Sequence, residues 1–499
     1  MIVLVLLAGA LLAPGLLIGP SLDAAVFSHL GGRLLDGVAP YVGAWDHKPP
    51  GIYLASAAVQ AVLGWLGPWT ADWLLSLGAT AGIGVAVAAV LARLGVTGWP
   101  RTLVAVGSVV LASNYLLALG GGLTEPIAAV LVASALVLAL RPLAGTRQVL
   151  AGALVGAALI FSFQVLPGAL VVIAVAMAGT PARGRMARVA RLAVGAAAPV
   201  ALVAAWLALI GALPAALDAI VTYTAAYRFS NTEYGGTLSA PVASWTLLVS
   251  LFLVAPAILG ARSISAAPSP RRTVVVASLA WIAASLALFV VQGRFLAHYA
   301  IPLAVPLGIL GGVGLQRVMA SLHRSRALVR RAVVVAPFAA TMAISVMAGV
   351  ISAAMQLAAV ADMSERSEAV ATYVRETVSE GGMLVWGNDP RLYDLAGRSP
   401  TTRYSYFYPL STPGYSTTGM VDEVARELAA DPPAVVVDAG SSAPGQPGFL
   451  PLLINRPITT DGRDLDLLDP LRAFVATHYK LAATVAGWPI YVLRDEPTP

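Results

Sequence analysis

A polar segment at residues 21–51 interrupts the apolar first half of the chain and carries most of its reactive side chains. Asp23 and Asp46 supply carboxylates, His47 supplies an imidazole, and Lys48 is one of only two lysines in the sequence. Carboxylates can take a proton from a nucleophile, and cationic side chains bind phosphate and other anions. The segment therefore predicts a site that activates a nucleophile beside a bound anion.

Later loops add side chains of the same kinds. Glu125 lies at the start of an apolar run, where it could also serve as a helix cap. Arg294 and His298 are four residues apart at a helix start, so they share one face and can clamp an anion. Tyr223 and Tyr227 have the same spacing and favour either substrate binding or an aromatic belt at the membrane edge.

The composition is that of a polytopic α-helical membrane protein. Hydrophobic residues make up 58% of the chain, charged residues 11%, and the mean hydropathy is +0.81, values outside the range of soluble globular domains. The absence of cysteine in 499 residues excludes disulfides, thiolate catalysis and cysteine metal sites. We expect the chain to lie in the lipid bilayer and to bind no nucleic acid.

Eleven apolar runs predict transmembrane helices, and the first is long enough to cross a hydrocarbon core of roughly 30 Å. They are residues 2–20, 72–92, 102–119, 125–140, 148–164, 165–180, 192–211, 242–261, 273–291, 299–316 and 332–358. The shorter run at 52–66 is interpreted as an interfacial segment. A cleaved signal peptide is not favoured for the first run, because no basic residue precedes it.

Charge gives the orientation. If residues 52–66 lie in the interface and do not cross the membrane, sixteen arginines fall on one side of the bilayer. The other side has only Arg33, Lys48, Arg228 and Arg294. The positive-inside rule then places the N-terminus in the cytoplasm and the loop at 21–71 outside. Within that loop, the pattern at 26–35 predicts an amphipathic helix on the bilayer surface.

Composition changes after residue 361, where charged residues return and Pro and Gly become frequent. We interpret residues 1–361 as a membrane domain that carries the site, and residues 362–499 as a soluble extracytoplasmic α/β domain. Helices are expected at 364–380, 420–430 and 465–478, strands at 383–387 and 434–438, and a hairpin at 481–494. No phosphate-binding loop or catalytic constellation is evident in this second part.

A site with these groups at the outer lipid surface fits a lipid-linked anionic substrate. An acceptor hydroxyl attacking a sugar on a polyprenyl phosphate meets both requirements. Asp23 would be the general base, made stronger by desolvation or a neighbouring acid. Lys48 and Arg294 would stabilise the departing phosphate. Such a single displacement inverts the anomeric centre.

Several motifs carry a resemblance to a known family. The first loop resembles that of the family-39 type of GT-C glycosyltransferases, which includes protein O-mannosyltransferases and aminoarabinose transferases. The resemblance is carried by Asp23 after the first span, the surface helix that follows it, G-x-x-PY at 37–41 and WDHKPPG at 45–51. TEP at 124–126 and R-x-x-x-HY at 294–299 are similar as well. The resemblance covers roughly residues 1–320. It implies a GT-C-like fold, Asp23 as catalytic aspartate and Lys48 as a contact of the donor phosphate. Many relatives have Asp-Glu where this chain has Asp23-Ala24.

Other interpretations stay open at this point. Asp23, Asp46, Glu125 and His47 could supply ligands to a divalent metal, although their spacing matches no metal motif. A flippase for lipid-linked sugars would also be polytopic, but charges deep in its spans would be expected. A noncatalytic envelope protein would leave DHKPPG unexplained. The acceptor could be a glycan, a lipid or a protein.

Overall fold

The chain forms a bundle of apolar helices followed by a small mixed β-sheet. The computed structural model describes residues 1–140, 145–178, 181–229, 240–262, 264, 269–292, 296–321, 327–387, 389–442 and 466–494. The helices of the first part are α1 (Ile2–Leu12), α2 (Pro14–Ile18), α3 (Leu22–Leu35), α4 (Gly51–Leu63), α5 (Pro68–Arg93), α6 (Trp99–Ala112), α7 (Tyr115–Ala118), α8 (Thr124–Ala139), α9 (Gly145–Leu159), α10 (Leu166–Ala178), α11 (Ala182–Leu209), α12 (Leu213–Leu217), α13 (Thr224–Phe229), α14 (Ala240–Ala261), α15 (Ser269–Gln292), α16 (Ala304–Ser321) and α17 (Ala327–Thr377).

Six helices of the described part are long and apolar enough to cross a membrane, and a seventh span results if α1, α2 and α3 are taken as one bent unit. Shorter apolar helices cover Gly51–Leu66, Trp99–Ala112, Thr124–Ala139 and Phe163–Ala178. By length and composition alone, fewer than eleven of the described helices qualify as membrane spans, so the count of eleven stays a prediction. Helix α17 runs without a break across residue 361, where the composition changes.

The first two helices and α3 meet at a sharp corner. The axis of α3 is turned by 82° from that of residues 2–18, so a first helix along the bilayer normal places α3 close to the membrane plane. Ser21 caps α3, because its hydroxyl accepts a hydrogen bond from the backbone N–H of Ala24 at 3.3 Å. Asp23 consequently lies in the first turn of α3, immediately after the corner.

Glycines allow this corner to pack against the loop before α8. Gly120, Gly121 and Gly122 all have positive φ, at 84°, 113° and 80°, a region that residues with a Cβ rarely adopt. A Cβ on Gly122 would lie 2.5 Å from the Cβ of Ala24. The glycine run of GGGLTEP therefore lets the chain approach the start of α3 closely and helps to fix Asp23.

Glycines also bring α9 and α11 into close contact. A Cβ added to Gly152 would overlap the backbone carbonyl of Leu192, and one added to Gly156 would overlap that of Ala196. Small residues at such a crossing allow the two backbones to pack directly, as in many membrane helix pairs.

Replacing Gly152 with alanine should destabilise the protein by about 1–3 kcal/mol, because the added methyl forces α9 and α11 apart. Gly78→Ala is the matched control, since a Cβ at Gly78 of α5 meets nothing within 4 Å. Thermal unfolding in detergent should show a lower midpoint for Gly152→Ala, and an unchanged or slightly higher midpoint for Gly78→Ala. Equal midpoints for the two variants would contradict this account of the helix crossing.

The C-terminal segment, which we define as residues 362–494, contains the sheet. Its strands are β1 (Met383–Trp386), β2 (Val435–Asp438), β3 (Tyr479–Val485) and β4 (Trp488–Leu493), and its helices are α18 (Arg391–Ala396), α19 (Thr418–Ala430) and α20 (Asp469–His478). The strand order is β1-β2-β4-β3, with β1 and β2 parallel and the other two pairs antiparallel. The predicted strands and hairpin are present. The hairpin turns at Ala486 and Gly487, which both have positive φ, as the favoured two-residue turns require.

The sheet faces two different hydrophobic clusters, because side chains alternate along each strand. Met383 and Val385 point to a cluster with α17 and α18, whereas Leu384 and Trp386 belong to a cluster that continues into the first part of the chain. This second cluster includes residues of the first loop and of the C-terminal segment: Phe27, Leu30, Tyr41, Trp45, Tyr404, Tyr406 and Phe407. The C-terminal segment is thus packed onto the 21–51 segment rather than tethered beside it.

Candidate active site

A cavity of about 550 Å³ lies where the first loop, the helix ends and the C-terminal segment meet. Its wall contains seven of the nine side chains selected from the sequence: Asp23, Asp46, His47, Lys48, Tyr223, Tyr227 and His298. The remaining two are Glu125 and Arg294. Glu125 does not line the cavity, and Arg294 lies outside the described residues. Residues separated by more than 270 positions in sequence are therefore brought together as one site.

The backbone that carries Lys48 is held by two tyrosines. The hydroxyl of Tyr41 donates to the carbonyl oxygen of Lys48 at 2.8 Å, and that of Tyr53 lies 3.2 Å from the same oxygen. Tyr41 itself has φ of 67°, an unfavourable conformation for a bulky residue that persists only where the surroundings enforce it. These contacts restrict where the ammonium group of Lys48 can reach.

The environment of Lys48 keeps its side chain charged. Burial alone would lower the pKa of Lys48, but the phenol of Tyr299 and the carboxylates of Asp23, Glu125 and Asp46 outweigh it and raise the pKa above its ordinary value. The ammonium also lies 5.8 Å from the centre of the Tyr299 ring, within range of a cation–π contact. Lys48 is therefore a permanent positive charge at neutral pH, suited to binding an anion.

Asp46 joins the first loop to the C-terminal segment. It is 2% exposed, and its two carboxylate oxygens accept hydrogen bonds from Tyr53 and Tyr406, each at 2.6 Å. Burial tends to raise the pKa of Asp46, but the neighbouring His47, 3.1 Å away, and the two tyrosine hydroxyls hold that pKa well below its ordinary value. With both oxygens engaged, the ionised carboxylate fixes the shape of the loop next to Lys48.

Tyr406→Phe should weaken the docking of the C-terminal segment by about 1.5–3 kcal/mol, the usual cost of losing a hydrogen bond to a charged group. The measurement is the thermal midpoint together with limited proteolysis of the purified protein. Tyr479→Phe serves as a control, because its hydroxyl donates to the backbone carbonyl of Pro433 within the C-terminal segment. Tyr479→Phe should lower the midpoint without exposing the 21–51 segment to protease. Unchanged protection in Tyr406→Phe would show that Asp46 does not hold the two parts together.

Asp46 also sets a pH dependence. Because its folded-state pKa is lowered, its stabilising effect is fully present above the ordinary pKa of a carboxyl and is lost only as the pH falls through the lowered value. Protection of the loop should therefore stay constant from pH 8 to pH 5. A loss of protection within that range would contradict the assignment of an ionised Asp46.

Tyr223 and Tyr227 lie on the cavity wall, Tyr223 immediately before α13 and Tyr227 within it. Tyr223 is 1% exposed and stacks on Tyr227 with ring centres 5.4 Å apart. Both rings contact the imidazole of His47, at 5.2 Å and 5.5 Å. Tyr223 also packs edge-on against Trp45. These contacts place both tyrosines against His47 on the cavity wall.

Glu125 and His298 approach from two other elements. Glu125 lies in the first turn of α8 and is 2% exposed, but the N-cap position of that helix is Leu123, so the capping role considered for Glu125 is not found. Its carboxylate acts at a distance, as one of the charges that raise the pKa of Lys48. His298 lies in a 3₁₀ turn, Ala297–Leu303, and is 6% exposed on the cavity wall.

No metal cluster is found among the described residues, since no three His, Asp or Glu side chains there are arranged to hold an ion. Asp46, one of the four ligands considered from the sequence, has both oxygens occupied by tyrosines. The described geometry therefore assigns no residue to a metal.

Several cavity residues come from the C-terminal segment and were missed in the sequence. They are Asp389, Arg391, Tyr406, Tyr408 and Trp488. Asp389 and Arg391 follow β1, and Ala439 of the cavity wall follows β2. The carboxyl ends of parallel strands are a common place for binding residues. The signal in the sequence was therefore the polar turn directly after a buried strand, together with the run of tyrosines at 404–408.

No protein-family model matches the sequence, and no curated protein sequence matches it significantly. Solved structures do match the fold. ArnT from Cupriavidus metallidurans in the apo state aligns with a TM-score of 0.55 and 16% identity over 95% of this chain and 93% of that chain. ArnT from the same organism bound to undecaprenyl phosphate gives 0.57 and 15% over 99% and 98%. At this identity the likeness shows the fold alone: the chain has an ArnT-like fold, and six of its described helices are long and apolar enough to cross a membrane.

Proposed function

We propose that the chain is an integral membrane glycosyltransferase that moves a sugar from a polyprenyl-phosphate donor to an acceptor hydroxyl on the extracytoplasmic face. The observation that carries the proposal is the cavity itself, in which the carboxylate of Asp23 and the charged ammonium of Lys48 share one wall at the ends of apolar helices. The ArnT-like fold supports it, because ArnT is a GT-C fold glycosyltransferase and one of the two matching structures is bound to undecaprenyl phosphate.

A lipid-linked donor needs an apolar route for its tail and a cationic place for its phosphate. The cavity offers apolar side chains at the helix ends, from α2, α3 and α7 and from the turn before α16: Ile18, Leu22, Leu116, Leu119 and Leu296. Lys48 and His298 lie on the same cavity wall. We assign the phosphate to Lys48 and His298, with Arg294 as a further contact, and the tail to the apolar side.

Asp23 is then the general base. The acceptor hydroxyl attacks the anomeric carbon, its proton passes to the Asp23 carboxylate, and the bond between that carbon and the phosphate oxygen breaks. Polyprenyl phosphate leaves with the bonding electrons, and Lys48 stabilises the charge that grows on it. The anomeric centre is inverted. Asp23 lies in the first turn of α3 and lines the same cavity as Lys48.

The other selected residues have supporting roles. The carboxylates of Asp46 and Glu125 keep Lys48 charged, while His47, Tyr223 and Tyr227 form the adjoining wall where substrate binds. We retain eleven spans, a cytoplasmic N-terminus, a membrane domain of residues 1–361 and an extracytoplasmic domain of residues 362–499 as parts of the proposal. The charge of the arginine-rich loops supports this orientation. The family-39 type, and a hexosyl or pentosyl donor, are proposed on the motifs around Lys48.

The test uses the purified protein in vesicles with a panel of fluorescent hexosyl and pentosyl polyprenyl phosphates and a membrane extract as acceptor. Wild type should release polyprenyl phosphate from at least one donor and label the extract. Empty vesicles should do neither. If the donors stay intact but cross the bilayer, the protein is a flippase. If they neither react nor cross, a noncatalytic envelope role replaces the proposal.

A further inference from the structure

The cavity wall formed by the C-terminal segment contains an arginine that is held rigidly. Arg391 donates from Nε to Oδ1 of Asp389 at 2.6 Å and from Nη2 to Oδ2 at 2.8 Å. Asp389 is 4% exposed and also accepts a hydrogen bond from the Ser367 hydroxyl at 2.6 Å. This two-point pairing fixes the plane of the guanidinium group, so its remaining donors have a defined direction.

The remaining donors of Arg391 have no hydrogen-bond partner among the residues that the structure describes. Among the described residues, no hydrogen bond to Nη1 of Arg391 is found, although Arg391 lines the cavity. Trp488 lines the same cavity, is fully buried, and its indole Nε1–H also has no hydrogen-bond partner in the described part of the chain. A buried donor without a partner is costly, so the indole N–H of Trp488 indicates a ligand at the cavity wall to which Arg391 also belongs.

The charge balance distinguishes this wall from the one with Lys48. The carboxylate of Asp389 lies against the guanidinium and neutralises most of its field, whereas the N–H donors remain. The remaining N–H groups of Arg391 point in a fixed direction, and Asp389 balances the charge of the guanidinium. A neutral acceptor of hydrogen bonds, such as a pair of neighbouring hydroxyls, therefore suits them better than a phosphate does. Lys48, by contrast, is a point charge suited to the anion.

We propose that Arg391, fixed by Asp389, binds the hydroxyl groups of a sugar ring and so acts as a specificity-determining residue of this cavity. The inference rests on the proposed function and deepens it, because it gives the C-terminal segment a direct part in substrate recognition. The ring could belong to the donor or to an acceptor glycan, since both present neighbouring hydroxyls.

The experiment measures binding and turnover separately in the full-length protein. Binding of bare polyprenyl phosphate and of the sugar-bearing donor is compared in wild type, Arg391→Gln and Arg391→Lys, with the thermal midpoint as a check of folding. Arg375→Gln is the matched control, because Arg375 pairs with Glu368 on the exposed surface of α17, away from the cavity.

Arg391→Gln should lose about tenfold in affinity for the ligand whose sugar it contacts, as expected for one or two hydrogen bonds to a charged donor. If that ligand is the donor, affinity for the sugar-bearing lipid falls and that for bare polyprenyl phosphate does not. If it is the acceptor, donor binding is unchanged and the acceptor KM rises. Arg391→Lys, which loses the two-point geometry, should show most of the same loss.

Two results would overturn the proposal: a folded Arg391→Gln with unchanged donor binding and acceptor KM, or an equal loss of bare polyprenyl phosphate, which would make Arg391 part of an anion site. Failure of the proposed function looks different, because wild type itself would then release no polyprenyl phosphate from any donor.

Discussion

Asp23→Asn should lower kcat for sugar transfer by about 10³-fold, within the usual range for loss of a general base. The amide is nearly the same size as the carboxylate, so the start of α3 should keep its shape and the Ser21 cap should remain. An amide cannot accept the proton of the attacking hydroxyl. Binding of polyprenyl phosphate should stay near the wild-type level, because that contact is assigned to Lys48 and His298.

The control for this variant is Asp36→Asn at the other end of the same helix. Asp36 is exposed, pairs with Arg33 at 3.2 Å and does not line the cavity. Its loss should leave kcat within about twofold of wild type, since exposed ion pairs contribute little. Full turnover by Asp23→Asn on a donor that wild type consumes would remove Asp23 from the role of base.

Lys48→Gln should lower kcat by about 10²–10³-fold, the effect seen when one preorganised donor to a developing negative charge is removed. The loss should appear mainly in kcat, because the charge on the phosphate oxygen grows as the bond to the sugar breaks. Three carboxylates near Lys48 would also lose their counter-charge, so a lower thermal midpoint is expected. Lys48→Arg should recover part of kcat, since it keeps the charge and changes the geometry.

Lys480→Gln is the natural control, because it removes the other lysine of the chain from an exposed position on β3. It should leave kcat and the midpoint unchanged. A Lys48→Gln variant that raises KM while kcat is preserved would assign Lys48 to ground-state binding only. Wild-type values of both constants would exclude Lys48 from the site.

Much of the site could be predicted because its polar residues stand out against an apolar chain. Asp23, Lys48 and His298 were selected by residue type and spacing alone, and they line one cavity. The fold class followed from composition, since a chain this apolar has few alternatives to a helical membrane bundle. The strands at 383–386 and 435–438 followed from short buried runs bounded by Gly and Pro.

What could not be predicted depends on contacts between distant parts of the chain. The role of Asp46 requires Tyr406, 360 positions away, and no local pattern indicates that pairing. Arg391 looks like an ordinary surface residue in sequence, and only the docking of β1 beside the cavity reveals it. Glu125 was considered as a helix cap, whereas the N-cap of α8 is Leu123, and the charge of the buried Glu125 carboxylate influences Lys48.

The central claim is a single displacement in this cavity with Asp23 as base. The most direct measurement is the anomeric configuration of the first glycoside that wild type forms from a donor of defined configuration, determined by NMR. The account predicts an inverted product, because the acceptor attacks from the face opposite the departing phosphate. A retained configuration would require a glycosyl-enzyme intermediate and would contradict the role given to Asp23.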